Sequence, residues 1–304
     1  MLGGMMGPMH PAEVMRAALL ASPWKPADLE DVLLGCTNQA GEDSRNVARH
    51  ASLLAGFPAT TPAQTVNRLC ASGLAAVVDA ARAVTVGDGD LYLAGGVESM
   101  SRAPFAMAKS ESPYAREVRV FDTTLGARFP NPRLTAAWGQ DSMPQTGDNV
   151  AREQGISRAD ADRYAFESQR RYEKARAEGF FAGEIRPLEV PAPGRKGARV
   201  VVDRDEHPRP DTTLDDLARL RPLLGPGTTI TAGNASGIND GAGALLLASE
   251  AAVTRHGLTP LARITGMASA GVPPRTMGLG PVPAIRKLLA RQGRSLSDYD
   301  LVEI

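Results

Sequence analysis

The sequence predicts an α/β fold with a mostly parallel or mixed sheet layered by helices. Three observations carry this. Helical patterns alternate with short apolar runs over the first hundred residues; the runs themselves have the length and apolarity of buried core strands; and hydrophobic residues make up 43% of the chain against 22% charged, which is enough to bury a sizeable core. The length of 304 residues corresponds to about two domains at ~150 residues each.

The order begins with HPAEVMRAALLA, which sets Val14, Ala17, Ala18 and Ala21 at three- and four-residue steps behind Pro11, a residue suited to a first helical turn. DLEDVLLGC then predicts a buried strand running into Cys36. SRNVARHASLLAGF predicts a second helix with Val47, Ala51 and Leu54 on its inner face and Gly56 as its stop. QTVNRL (64–69) reads as a strand leading into Cys70. Behind it, CASGLAAVVDAARAVTVGD reads as a small-residue helix with a buried stripe of Leu74, Val77, Val78, Ala81 and Val84. DLYLAGG closes the unit as another core strand. Such a unit normally opens on a strand, and nothing ahead of the first helix has that pattern.

Between about 101 and 227 the character changes to Pro- and Gly-rich stretches and polar helices. SRADADRYAFESQRRYEKARAEG is long and charged, with opposite charges close together around Arg170, Glu173 and Lys174. This is an excursion carried on the α/β core. The core resumes at TITAGNASGINDGAGALLLAS, a Gly/Asn/Ser loop followed by a strand at 244–248. LARITGMASAG is then strand-like, VPAIRKLLARQG helical, and DLVEI begins a further strand.

Composition excludes several classes of function. Lys and Arg total 34 and Asp and Glu 34, so the net charge is zero and no basic field exists to hold a nucleic-acid backbone or an anionic membrane. MLGGMMGPM at the start has no Lys or Arg, unlike a signal or transit peptide, and no run is expected to reach the ~18 apolar residues of a membrane span. Cys36 and Cys70 cannot form a disulfide framework and belong to no CxxC pair, so no metal is expected and a cytoplasmic location fits.

Cys70 is the sharpest chemical feature. A strand–Cys–helix junction places the sulfur before unpaired backbone N–H groups and the positive end of the helix dipole, which favours a thiolate and suits a nucleophile for acyl transfer. The alternative at that junction is a buried structural thiol. Cys36, at the end of an apolar run, reads as packing.

VNRLCASGLAAV around Cys70, AGGVESMSRAPF at 94–105 and TAGNASGINDGAGALLLAS at 231–249 together resemble the thiolase family, in the family's order; GCTNQAGEDSRNVAR and DSMPQTGDNVA extend the resemblance over almost the whole chain. The first two segments and MASAGVPPRTMGLGPVPAIRK are most similar to the β-ketoadipyl-CoA thiolase branch. The resemblance implies an N-terminal thiolase domain at 1–250, with about 101–227 as its loop-domain insertion, and the start of a C-terminal domain at 257–304. It implies thiolysis of a 3-ketoacyl-CoA, or the reverse Claisen condensation, with acyl-CoA and CoA as partners, coenzyme A as substrate rather than cofactor, and assembly into a dimer or tetramer. Cys70 would be the acylated nucleophile, with its own backbone N–H as an oxyanion donor. Arg209 would lie near the CoA nucleotide, Ala232 and Ser236 along the pantetheine tunnel, and Met143 near its acyl end. Without the family, Arg209 reads as a solvated loop charge, TAGNASG as a tight turn and Met143 as core.

The resemblance also implies an opening strand, an Asn–Glu–Ala–Phe segment, a Gly–His–Pro segment with the activating base and a late Cys-x-Gly segment. None is found in these residues: His10 and His207 precede prolines without the family's flanks, and His50 and His256 lie on helices. The expectation is therefore a thiolase truncated at both ends, poorly stable and inactive alone, or a non-catalytic thiolase-like subunit that binds a full-length partner.

Overall fold

The computed structural model describes residues 24–110, 112–192 and 197–304. The helix expected at 10–21 lies outside them. The chain divides into two compact units, one taking residues up to Arg128 with Ile185–Arg204 and Ile238–Arg263, the other Phe129–Glu184, Asp205–Gly237 and Ile264–Ile304. Part of the stretch 101–227 lies in each unit.

The first unit is built on a four-stranded sheet of β1 (Asp31–Gly35), β2 (Ala63–Val66), β3 (Leu91–Ser99) and a late strand (Asp240–Ala248) in the order β2-β1-β3-late strand. β1 pairs parallel with β2 and β3, whereas the late strand runs antiparallel to β3 from Leu91↔Ala248 to Ser99↔Asp240. The sheet is thus mixed. Two helices connect the parallel strands, α1 (Val47–Leu54) and α2 (Ser72–Val86), as parallel neighbours require.

Side chains alternate across the sheet. Val32 and Leu34 of β1 and Leu91, Leu93 and Val97 of β3 join Trp24, Phe57 and the α1 residues Val47, Ala48 and Ala51 in one core. On the other face lies α2, packed on β1 and β3. Two short strand pairs complete the unit, β4 (Phe105–Met107) with β5 (Val120–Asp122), and β6 (Leu188–Pro191) with β7 (Arg199–Val202). The late strand is β8, and α7 (Glu250–His256) follows it. Between β5 and β6 the chain forms α3 (Pro132–Trp138), α4 (Met143–Gln154) and α5 (Arg158–Ala177), and between β7 and β8 α6 (Leu214–Arg219). These four helices belong to the second unit with α8 (Pro281–Gln292).

Local sequence explains the helix ends. Ser142 and Ser157 each form a capping box, with Gln145 and Asp160 three residues on, and Gly155 ends α4 in the left-handed region. The charged face of α5 carries ion pairs between Glu167 and Arg170 and between Glu173 and Arg176.

Several expectations need correction. The inner face of α2 is Ser72, Ala75, Ala76, Ala80 and Ala81, while Leu74 is 68% exposed. The cause is close approach: a Cβ on Gly35 would stand 2.2 Å from the Ser72 carbonyl carbon, and one on Gly96 would stand 3.3 Å from the Gly73 Cα, so only small side chains fit between this helix and the sheet. Leu54 of α1 is likewise exposed, its place inside being taken by Ala48 and Ser52. β2 stops at Val66, and 67–69 turn instead of extending. Residues 261–271 and 300–304 pair with no strand among the described residues, and an apolar run makes a strand only where a neighbour takes its backbone groups. Finally, Leu69–Val86 does reach the length and hydropathy of a membrane span, at 1.5 mean hydropathy, against the expectation that no run would; its α2 portion packs an alanine face on the sheet.

Candidate active site

Cys70 lies in the first unit, exposed, between the end of β2 and the first turn of α2. The approach to it is a tight hydrogen-bonded turn. Leu69 has φ 51°, a left-handed conformation that a leucine adopts only under constraint. Its N–H donates to Asn67 Oδ1 at 3.0 Å, and its carbonyl accepts from the Ser72 N–H at 2.9 Å and the Ser72 hydroxyl at 2.5 Å. Ser72 Oγ in turn accepts from the Arg68 N–H at 2.8 Å. The chain therefore leaves the sheet, reverses at Leu69 and presents Cys70 immediately before the first turn of α2, whose Ser72 N–H is taken by the Leu69 carbonyl. Seating α2 this low needs glycine at 35 and 96, where a Cβ would meet the backbone of Ser72 and Gly73.

Cys36 is a different kind of thiol. It is buried, and Sγ–H points to Asp43 Oδ2 at 3.9 Å. Burial, then the charges of Glu98 and Asp43, push its pKa up to about 12, so it stays protonated and inert as a nucleophile. Burial also raises the Asp43 carboxyl. Cys36, Asp43 and Glu98 bring ligand-type atoms within 4.8 Å of one another. The chain already engages them: Glu98 accepts from the Thr37 and Asn38 N–H groups at 2.9 and 3.0 Å, and Asp43 accepts from the Gly41 N–H at 3.1 Å.

Met143, Arg209, Ala232 and Ser236 all fall in the second unit. Met143 opens α4 and lines an apolar cavity of about 500 Å³ with Val150, Ile156, Ala161, Tyr164 and Ile230. Arg209 Nη1 donates to the carbonyls of Glu206, His207 and Pro208 at 2.7, 2.8 and 3.0 Å, so part of the guanidinium ties its own loop. Ala232 and Ser236 are exposed in the turn after buried Thr231. That turn is pinned by a residue the sequence reading passed over. Asn234 donates to Asp162 Oδ1 at 2.9 Å and to the Thr229 carbonyl at 3.1 Å, while Asp162 Oδ2 takes Arg158 Nε at 2.7 Å and Arg158 Nη2 reaches the Leu217 carbonyl at 2.6 Å. Asp162 is only 5% exposed, and its place in a run of charged residues gave no sign of burial. Asp148, likewise buried, accepts from the Thr229 and Ile230 N–H groups and fixes the entry to the same turn.

The chain is similar to known proteins in both sequence and fold. The family model "Thiolase, N-terminal domain" matches residues 11–251 and "Thiolase, C-terminal domain" matches 258–304. The chain is 56% identical over 276 residues to a β-ketoadipyl-CoA thiolase of Pseudomonas putida, covering 91% of this chain and 68% of that protein. It is 53% identical to the 3-oxoadipyl-CoA/3-oxo-5,6-dehydrosuberyl-CoA thiolase of Escherichia coli K12, covering 95% and 72%. Among solved structures, the Bacillus anthracis acetyl-CoA acetyltransferase superposes with a TM-score of 0.86 at 35% identity, covering 99% of this chain and 75% of that one. Human mitochondrial 3-ketoacyl-CoA thiolase in complex with CoA superposes with a TM-score of 0.86 at 38% identity, covering 98% and 72%.

Proposed function

From the premise that this chain belongs to the thiolase family, we propose that it acts in thiolysis of 3-oxoadipyl-CoA, or a closely similar 3-ketoacyl-CoA, with CoA as the second substrate and Cys70 as the acylated residue. The single observation that carries the assignment of Cys70 is its exposed place on a constrained turn ahead of α2, inside the segment that resembles the family's nucleophile motif.

The Cys70 sulfur attacks the 3-keto carbon, and the resulting oxyanion is met by backbone N–H donors, that of Cys70 among them. Collapse breaks the bond between C2 and C3. Acetyl-CoA leaves once C2 takes up a proton in place of the one the Cys70 thiol gave up on attack, and the remaining acyl group stays on Cys70 as a thioester. The thiol of a second CoA then attacks that thioester, releasing a shortened acyl-CoA and returning the Cys70 thiol. Met143 and the apolar cavity it lines support a place for the uncharged part of the acyl-pantetheine arm, and Ala232 and Ser236 are assigned to the same arm as small, exposed side chains that leave it room. Arg209 is assigned to the CoA phosphates through the guanidinium nitrogens other than Nη1. The exposed apolar side chains of the β4–β5 pair, Phe105 and Met107, support assembly into a homo-oligomer.

The test is peptide mass spectrometry after incubation with acetyl-CoA or acetoacetyl-CoA. An acyl adduct on Cys70 that is lost in C70S is expected. No adduct at Cys70, or equal labelling of C70S, would overturn the assignment. Light scattering of the same preparation checks the assembly, where a monomer is the contrary result.

A further inference from the structure

We propose that Asn67 is a positioning residue for Cys70 and that Glu98 supports it through the strap at Thr37 and Asn38. The proposal rests on the reading of Cys70 as the acylated residue.

Leu69 is the constrained point of the turn, with φ 51°, and it is 64% exposed. Packing therefore cannot be what holds it in the left-handed region, and a leucine has no intrinsic reason to stay there. Hydrogen bonds must do so. The Leu69 N–H is held by Asn67 Oδ1 at 3.0 Å, an Asx turn, while Asn67 Nδ2 donates to the Thr37 carbonyl at 2.9 Å. One amide side chain thus ties the turn before Cys70 to a separate stretch of chain after β1.

That stretch is itself fixed. Glu98, at the end of β3, accepts the Thr37 N–H on Oε2 and the Asn38 N–H on Oε1. The Asn38 side chain donates to the Thr123 carbonyl at 2.9 Å and accepts from Arg128 Nη2 at 2.9 Å. An ionised carboxylate taking two successive backbone N–H groups is among the stronger polar anchors available. The path runs from the Glu98 carboxylate to the Thr37–Asn38 backbone, to the Asn67 amide, to the Leu69 N–H and so to Cys70. Loss of either anchor lets Leu69 relax toward negative φ and swings Cys70 away from the first N–H groups of α2.

The experiment times alkylation of Cys70 by iodoacetamide at fixed pH in the full chain, in N67A, N67S and E98Q, and in the N67A/E98Q double variant. Buried Cys36 serves as an internal reporter of unfolding. Cys70 is expected to react about fivefold more slowly in N67A and in E98Q, with the double variant no slower than N67A, because both act through one path. N67S is expected to stay within about twofold of wild type, since a serine hydroxyl can accept the same N–H. Cys36 is expected to stay unlabelled throughout. A Cys70 rate in N67A within about twofold of wild type would overturn the proposal. So would effects that multiply in the double variant, N67S as slow as N67A, or a loss accompanied by Cys36 labelling, which would make the role one of folding. Acetyl-CoA labelling is read separately: its absence with this alkylation pattern intact would remove the acyl-transfer reading and leave the positioning one standing.

Discussion

Gly35 shows how much a single missing methyl group decides. An alanine there would place Cβ 2.2 Å from the Ser72 carbonyl carbon and 2.3 Å from the Gly73 nitrogen, backbone atoms that cannot turn aside. α2 would have to lift from the sheet, carrying Cys70 with it. G35A is expected to cost about 3 kcal/mol, the upper part of the range for overpacking, measured by urea denaturation. Cys36 makes a second residue-scale prediction. Its folded pKa is pushed up to about 12 from 9.0, so above about pH 9 the unfolded state loses a proton that the folded state keeps. Its contribution is present in full below that pH and is lost as pH rises toward 12. In a C70S background the urea midpoint should therefore fall more steeply between about pH 8 and about pH 10.5 than in C36A/C70S. Equal slopes would show that Cys36 ionises alike in both states. The burial of Cys36 was legible in the sequence, because it follows from a cysteine standing at the end of an apolar strand; at Cys70 the sequence left a buried thiol and a nucleophile both open, and the turn at 67–69 that precedes it reads there as strand. The Asn67–Thr37 tie was not, since it joins residues whose nearness depends on how β1 and β2 align.

At the scale of elements, periodicity found β1, β2, β3 and β8 and the helices α1, α2, α5 and α8, missed the short pairs β4–β5 and β6–β7, and misplaced the inner face of α2. Ranking Leu74, Val77 and Val78 as buried assumes that the largest apolar residues face inward. Here the gap between helix and sheet is set by Gly35 and Gly96, and only alanines and Ser72 fit it. The strand-like patterns at 261–271 and 300–304 failed for a complementary reason: a strand is a property of a pair, and a sequence pattern names one member alone. In the second unit, α5 and the turn at 229–236 are joined by the buried Asp162 with Arg158 and Asn234. Removing the carboxylate leaves Arg158 and Asn234 without their shared acceptor. D162A is expected to cost about 3 kcal/mol, and N234A, which leaves the ion pair intact, about 1 kcal/mol. Hydrogen exchange of α5 and α6 amides measures both; equal protection in D162A and wild type would show that the ion pair contributes nothing net.

For the whole molecule, the order in which the sheet is assembled follows from the chain's path. β1, β2 and β3 lie within residues 31–99 and are joined by α1 and α2, so their parallel pairings close loops of a few tens of residues. β8 pairs with β3 only after the chain has passed through residues 129–184 and 205–237 of the second unit, with Leu91 opposite Ala248. Loop closure over such a separation costs more entropy, and non-local pairings form late. The antiparallel edge is therefore expected to be unformed in the folding transition state, with the β1–α2–β3 portion already in place. Val32 is fully buried on β1 and Leu247 is buried on β8 opposite Tyr92, so both substitutions destabilise the same sheet. L247A should lose about 2–3 kcal/mol, almost all as faster unfolding, whereas V32A should slow refolding. Stopped-flow refolding and unfolding of the two variants distinguish these cases. Slowed refolding in L247A would place β8 in the nucleus and contradict an order of assembly set by sequence separation.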